Sequence, residues 1–372
     1  MASPPLAGLR ILEMAGIGPG PFCGMMLADH GAEVIRVERP GPSGIVDPTR
    51  DPLLRSRRTI SLDLKQPEAV AAVRRLAATC DGLIEGFRPG VMERLGLGPD
   101  TLLGDNPALV YGRMTGWGQT GPLAQAPGHD IDYIAISGTL HALGEANRKP
   151  TAPLNLAADF GGGGMMLAFG MLAAILQAQA SGAGQIVDCA MTEGSAVLTS
   201  MIWGFRAQGQ WRDARGTNLL DGGAPFYDSY ETADGKWIAV GAIEPQFYAA
   251  LREVMQLEGS EWNTQFLPAV WPSLKRELAQ RFKQRDRDDW VTAFEGHEAC
   301  IAPVLDFDEA VAHPHNAARG SFVTAGGVVQ PAPAPRYSVS GTVPPRMAGE
   351  SDGPAILAEA GFSAAEIAAL GL

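Results

Sequence analysis

The sequence predicts an α/β protein: a large domain built on a mostly parallel, Rossmann-like sheet, followed by a smaller α+β domain. Three observations carry this expectation. Short apolar runs alternate with helical patterns as far as residue 191, the order that produces βαβ units and a parallel sheet. The pattern then changes to two β-rich runs around Asp234-Gly235, a pair that supplies the positive φ angles of a tight hairpin. Finally, 372 residues are more than one ordinary core serves. The expected division is a large α/β domain over 1–215, a small α+β domain over 216–325, and a linker with a C-terminal segment over 326–372.

The elements follow in order. "LRILEM" (9–14) reads as a strand, "GIGPGP" (16–21) as a turn, "FCGMMLADHG" (22–31) as a helix and "AEVIRVE" (32–38) as a second strand. "TISLDL" (59–64), "GLIEGF" (82–87), "ALVYGRMTG" (108–116) and "GQIVDCAM" (184–191) continue as strands, with a helix over 67–80. The most apolar stretch (161–179), broken by Gly170 and turning polar at Gln177, reads as a buried helix too short and interrupted to span a bilayer. One helix is expected over 193–209, the hairpin over 225–243, and helices over about 245–256 and 273–297. "GGVVQPAPAPRYS" (326–338) reads as a linker or wrapping segment, and a pair of short helices closes the chain.

Hydrophobic residues make up 46% and charged residues 19%, the balance of a globular enzyme. The net charge of −12 argues against nucleic acid or an anionic membrane as partner. Residues 1–100 hold 12 Lys and Arg against 12 Asp and Glu, so the whole deficit falls on the rest of the chain. Cys23, Cys80, Cys189 and Cys300 lie far apart without CxxC spacing, which suggests neither a zinc site nor a disulfide framework. With no secretory pattern at the N-terminus, a cytoplasmic location is expected.

"GIGPGP" follows a strand but lacks the GxGxxG spacing, and Pro19 and Pro21 remove amides that a pyrophosphate would need; lining a ligand pocket stays open for it. Basic residues gather in 36–40, 47–65 and 86–96. They read either as a solvated face or as a strand-end site for a phosphorylated small molecule. His129, in "GHDIDY", reads as a satisfied core residue, a metal ligand or a proton carrier; no second ligand lies at metal spacing, His313 and His315 being two apart in a loop-like stretch. Asp159 precedes four glycines and an apolar helix, so it reads as an N-cap or as the neighbour of a backbone site for developing negative charge, the amides of Gly161 to Gly164. A histidine, a carboxyl group and such a site suit proton transfer beside a carbonyl. Met165, Met166, Met191 and Met201 read as core packing or as an adaptable acyl surface.

Taken together, "GHDIDYIAISG" (128–138), "LNLAADFGGGG" (154–164), "RMTGWGQTGP" (113–122), "GQIVDCAMTEG" (184–194), the hairpin stretch 220–248 and "CIAPVLDFDEA" (300–310) closely resemble the racemase branch of the class III CoA-transferase superfamily. The resemblance implies a 1,1-proton transfer at the α-carbon of a 2-methylacyl-CoA thioester, through an enolate, without a metal or organic cofactor; coenzyme A is part of the substrate. His129 and Asp159 match the catalytic pair, Glu244 a partner that orients the imidazole, and Asn155 a polar contact shortly before the aspartate. CoA contacts carry over to Arg39, to Leu62, Asp63, Leu64 and Lys65, and to Gly86, Phe87, Arg88 and Arg94. The loop Gly128, Asp130, Ile131, Asp132 and Tyr133 completes them, and the bottom-up reading adds Gly161 and Gly162. The resemblance also implies an interlocked homodimer, with the C-terminal segment returning to the large domain, Glu244 coming from the partner chain, and a place in fatty acid and lipid metabolism. The competing reading is CoA transfer, in which Asp159 is a nucleophile and a histidine at 129 is not required; "GHD" favours the racemase. A catalytically silent CoA-binding protein is disfavoured by the presence of His129, Asp159 and Glu244 together.

Overall fold

The computed structural model describes residues 3–41, 46–349 and 351–372, in two compact units: 1–137, 154–198 and 320–372 form one, 138–153 and 199–319 the other. The first unit opens with β1 (Arg10–Met14), α1 (Pro19–Asp29), β2 (Glu33–Glu38), β3 (Arg58–Ser61), α2 (Pro67–Ala77) and β4 (Gly82–Glu85). It continues through α3 (Val91–Arg94), α4 (Pro99–Asp105), β5 (Val110–Thr115) and α5 (Asp130–Ile136). After α6 (Thr139–Ala142), which belongs to the second unit, come a π-helix (Leu156–Met165), α7 (Met166–Ser181), β6 (Ile186–Ala190) and α8 (Met191–Leu198).

The six strands are all parallel, in the order β3-β2-β1-β4-β5-β6. Chain direction around the sheet reverses between β1 and β4, and open α/β sheets hold ligands at the strand C-termini beside such a switch. Both faces are covered, which is why β4 and β5 are buried along their whole length instead of alternating. One face carries Leu12, Ile35, Ile60, Leu83 and Tyr111 against Val73 and Leu76 of α2 and against Ile356 and Leu357 near the C-terminus; each fully buried aliphatic side chain contributes about 1.5–3 kcal/mol. On the other face α7 lies close to the strands: a Cβ on Gly82 or Gly112 would stand 2.7 or 2.6 Å from the side chain of Met171. The closing helices Gly353–Glu359 and Ala364–Ala369 occur where a helix pair is expected.

In the second unit, α9 (Ser200–Ala207) precedes the antiparallel strands β7 (Tyr227–Glu231) and β8 (Trp237–Gly241), which α10 (Pro245–Met255), α11 (Trp271–Phe282) and α12 (Arg287–Ala293) accompany; β9 (Ile301–Val304) pairs with β8. Gly235 takes φ +76° in the hairpin loop, as the Asp-Gly pair predicts. Its core is aromatic, with Phe226, Tyr230, Trp262, Trp271, Phe282 and Trp290, and the buried indoles find acceptors, Trp290 on the Phe282 carbonyl and Trp271 on that of Gln265, each at 2.8 Å. Residues 138–153 are tied into this unit by Arg215, which donates to the carbonyls of His141 (2.9 Å) and Arg148 (2.8 Å).

Three expected elements differ. The helix over 193–209 is two, α8 and α9, parted at Thr199 (φ −93°, ψ 12°); apolar periodicity runs across this break and does not reveal it. The helix over 273–297 likewise ends at Phe282 and resumes at Arg287. The apolar run is longer than expected: π-helix and α7 form one rod of 26 residues over Leu156–Ser181, whose most apolar window has a mean hydropathy of 1.5, long and apolar enough to cross a bilayer by length and composition alone. Gly170 does not interrupt it; a Cβ there would stand 3.0 Å from the Val187 side chain of β6, so the glycine lets α7 lie close to the sheet. Of that rod's most apolar window, 44% is buried within this chain.

Candidate active site

Buried ion pairs organise the site from below. Glu13 on β1, fully buried, pairs with Arg36 of β2 and with Arg57 at 3.1 Å. Arg36 also binds Glu38 at 2.8 Å and donates to the Gly16 carbonyl at 3.2 Å, so the turn after β1 is held from the sheet. Arg55 pairs with Asp29 and reaches Gln330. The basic cluster of the sequence is therefore largely internal. Arg36, Arg55 and Arg57 are buried and neutralised by carboxylates, while the exposed cations are Arg39, Arg50 and Lys65, with Arg88 and Arg94 beyond them. A solvated face describes none of the buried three, and of them only Arg36 also borders a cavity at the strand ends.

A cavity of about 710 Å³ opens at the C-terminal ends of β1, β2 and β3. Its walls include Arg39, Leu62, Asp63, Leu64, Lys65 and Phe87, six of the residues expected to contact CoA, together with Asn155. The turn Gly16 to Gly18, Arg36, Val46, Asp51 and Leu54 also line it. The turn was legible as a pocket wall from its place after a strand, and Arg36 from the basic cluster at a strand end; Val46, Asp51 and Leu54 carry no such signal. Gly86, Arg88, Arg94 and the loop 128–133 are not among the walls. A volume of this size with apolar walls and a cationic rim suits a nucleotide-bearing thioester.

At the cavity's edge, the Asn155 side-chain amide donates to Asp159 Oδ2 at 3.2 Å. Gly18, at φ +68°, lies against the same carboxyl group: a Cβ there would be 3.1 Å from Asp159 Oδ2. Burial raises the Asp159 pKa above the ordinary aspartate value, and the Asp130 charge adds to this; Asn155 and His129 act the other way. His129 stands exposed at the N-cap of α5, its amide donating to Asp132 at 3.0 Å. The next residue joins the two: Asp130 Oδ2 accepts from the amides of Ala158 (2.7 Å) and Asp159 (2.8 Å).

Two expected roles change in consequence. Asp159 is not an N-cap, since the π-helix starts three residues earlier, at Leu156. Nor do Gly161 and Gly162 open a helix with free amides. They lie inside it, where amides bond back five residues, and Gly162 to Gly164 are buried. Packing accounts for them: a Cβ on Gly162 would stand 2.5 Å from the Ser195 amide nitrogen, one on Gly163 3.0 Å from Met191, and one on Gly164 2.7 Å from Phe22. Asp130 and Tyr133 are likewise turned inward. The Tyr133 hydroxyl donates to the Gly128 carbonyl and its ring stacks edge-on to Trp117. Glycine is needed at 116 and 128, where a Cβ would meet that ring at 2.1 and 2.7 Å. Burial, and next the Asp159 charge, push the Tyr133 phenol up to about 12. Ile131 and Asp132 remain exposed. Glu244 lies in the second unit as the exposed N-cap of α10, where its charge adds to burial in raising the Cys300 thiol; it is not among the residues the first unit gathers. Among the described residues no cluster of three or more His, Cys, Asp or Glu could hold a metal.

A parallel sheet with a cavity beside its switch point, and a nearby histidine and raised carboxyl group, suit an enzyme that moves a proton on a nucleotide-bearing substrate, and comparison with known proteins gives the family. Residues 6–352 match the family model described as CoA-transferase family III. The chain is 48% identical over 366 residues to the alpha-methylacyl-CoA racemase of Mus musculus and 45% identical over 368 residues to that of Homo sapiens, covering 97% of this chain and 95% of each relative. A crystal structure of a CAIB/BAIF family protein from Brucella suis superposes with a TM-score of 0.83 at 27% identity, covering 96% of this chain and all of that one. The chain belongs to CoA-transferase family III.

Proposed function

We propose that this protein is a racemase that interconverts the two configurations at C2 of 2-methylacyl-CoA thioesters. The observation that carries the reading is the raised carboxyl group of Asp159, tied by the Asp130 bridge to the helix that His129 caps; the identity to the mouse and human racemases supports the same chemistry. The α-proton of a thioester is far less acidic than either side chain, so both a base and stabilisation of the enolate are required. His129 takes the proton from one face while Asp159 delivers one to the other, and the reverse reaction exchanges the roles. At rest the pair shares one proton. A carboxyl group held above its usual pKa is better suited to deliver a proton, and well-placed acids and bases contribute roughly 10²–10⁴ in rate. Coenzyme A is part of the substrate, and no metal or organic cofactor takes part. The rim cations Arg39 and Lys65 would meet the phosphates of CoA.

The working form is an interlocked, cytoplasmic homodimer serving fatty acid metabolism, with no membrane or nucleic-acid partner. Exposed apolar side chains along the long rod, Leu156, Met165, Phe169 and Leu176, with Val197 and Leu198 of α8, support a covered face between chains. Incubation with a 2-methylacyl-CoA in deuterated water should place deuterium on the α-carbon. His129→Ala should abolish exchange from one enantiomer by about 10²-fold or more while sparing the other relatively; equal losses would refute the two-face assignment. Hydroxylamine trapping should give no acyl-aspartate at Asp159, and its appearance would favour CoA transfer.

A further inference from the structure

Asp130 does work that neither a ligand contact nor an ordinary helix cap explains. Its side chain is 5% exposed, and Oδ2 accepts from two amides of the first turn of the π-helix, Ala158 and Asp159, at 2.7 and 2.8 Å. A helix that begins at Leu156 cannot satisfy those donors itself. Serine, threonine or asparagine would cap the turn equally well, yet the residue is an acid, and its other oxygen, Oδ1, is buried without a hydrogen-bond partner. It is also the residue after His129. We propose that Asp130 is the positioning residue of the His129 and Asp159 pair: its two amide bonds fix the carboxyl group relative to the helix that carries the imidazole, and its charge sets how one proton is shared between them.

The inference rests on the proton-transfer reading above and deepens it. The groups acting on Asp159 are Asp130 and His129 from α5 and Asn155 from the stretch before the π-helix, with no charged side chain of α1 or α8 contributing; Tyr133 of α5 feels the Asp159 charge in turn. Of these, Asp130 supplies the only negative charge. It therefore favours a protonated Asp159, the form that must deliver a proton whenever His129 acts as base.

Asp130→Asn keeps an acceptor for the two amides and removes the charge; Asp130→Ala removes both. Each is compared with the wild type by α-deuterium exchange on a 2-methylacyl-CoA, from both enantiomers across pH, and by amide hydrogen exchange at residues 158 and 159. In the alanine variant those amides should lose protection and kcat should fall about 10²-fold, the scale of a small misplacement, with KM little changed. In the asparagine variant the amides should stay protected and kcat should remain within about tenfold. Its acid limb should move to lower pH only for the enantiomer that Asp159 deprotonates. An asparagine variant with the wild-type profile, or losses that appear in KM and thus indicate substrate contact, overturns the proposal alone. A wild-type protein that exchanges no α-deuterium overturns the proton-transfer reading and the proposal with it. If the alanine variant does not fold, the near-isosteric asparagine profile still decides.

Discussion

At the scale of single residues, the site stores its reactivity as an unfavourable charge. Asp159 is held above the normal aspartate pKa mainly by burial, so the folded state binds its proton more tightly than the unfolded chain does. Stability is then complete below the unfolded value of about 3.9 and declines as pH rises from there through the folded pKa. Asp159→Asn should therefore melt higher than the wild type near pH 7, and the gain should shrink as pH falls toward 4. Differential scanning calorimetry at both pH values checks this, and an equal gain at both would mean that ionisation is not the cause. The same contrast between local and distant causes decides what was legible. His129 and Asp159 stand out in the sequence because their neighbours, a glycine-flanked loop and a glycine run, are unusual. Arg36, Arg55 and Arg57 were not, because the carboxylates that neutralise them, Glu13 and Asp29, lie 23 to 44 residues away in sequence. A run of arginines looks the same whether it faces a phosphate or a buried glutamate.

At the scale of elements, the π-helix is where sequence reading erred most instructively. Four successive glycines invite a ligand-binding explanation, since each is costly in a helix. The structure gives them neighbours instead. A Cβ on Gly194 would sit 1.8 Å from the Gly162 carbonyl oxygen, so the backbones of α8 and the π-helix touch where both elements lack side chains. No pattern within 161–164 could show what approaches it from residues 191–195. Gly194→Ala should destabilise the protein by about 1–3 kcal/mol or more, because the obstacle is backbone and cannot rotate away. In contrast, Gly204→Ala in α9, where a Cβ meets nothing within 4 Å, should stabilise by roughly 0.5–1 kcal/mol. Urea denaturation of both variants provides the test, and similar effects at the two sites would remove packing as the reason for the glycines. The strands were read more accurately than the helices. Fully buried parallel strands appear as short apolar runs, whereas the break at Thr199 interrupts no apolar period; the one after Phe282 falls in the polar run 283–289 and was legible there.

At the scale of the whole molecule, the first unit gathers His129, Asp159 and Asn155, while Glu244 belongs to the second. The proposed interlocked dimer makes this separation functional, with the glutamate of one chain completing the site of the other. Its consequence is a complementation experiment. His129→Ala and Glu244→Ala homodimers should each be impaired. A heterodimer of one chain of each kind contains one site with both substitutions and one with neither. Purified through two different affinity tags, it should recover about half of the wild-type exchange rate. The chains must be co-expressed, because threaded rings cannot trade partners without unfolding. If both residues of a site came from a single chain, every site of the heterodimer would carry one substitution and activity would stay at the level of the homodimers. The magnitude of recovery thus reports which chain supplies Glu244, independently of how much Glu244 contributes to the rate.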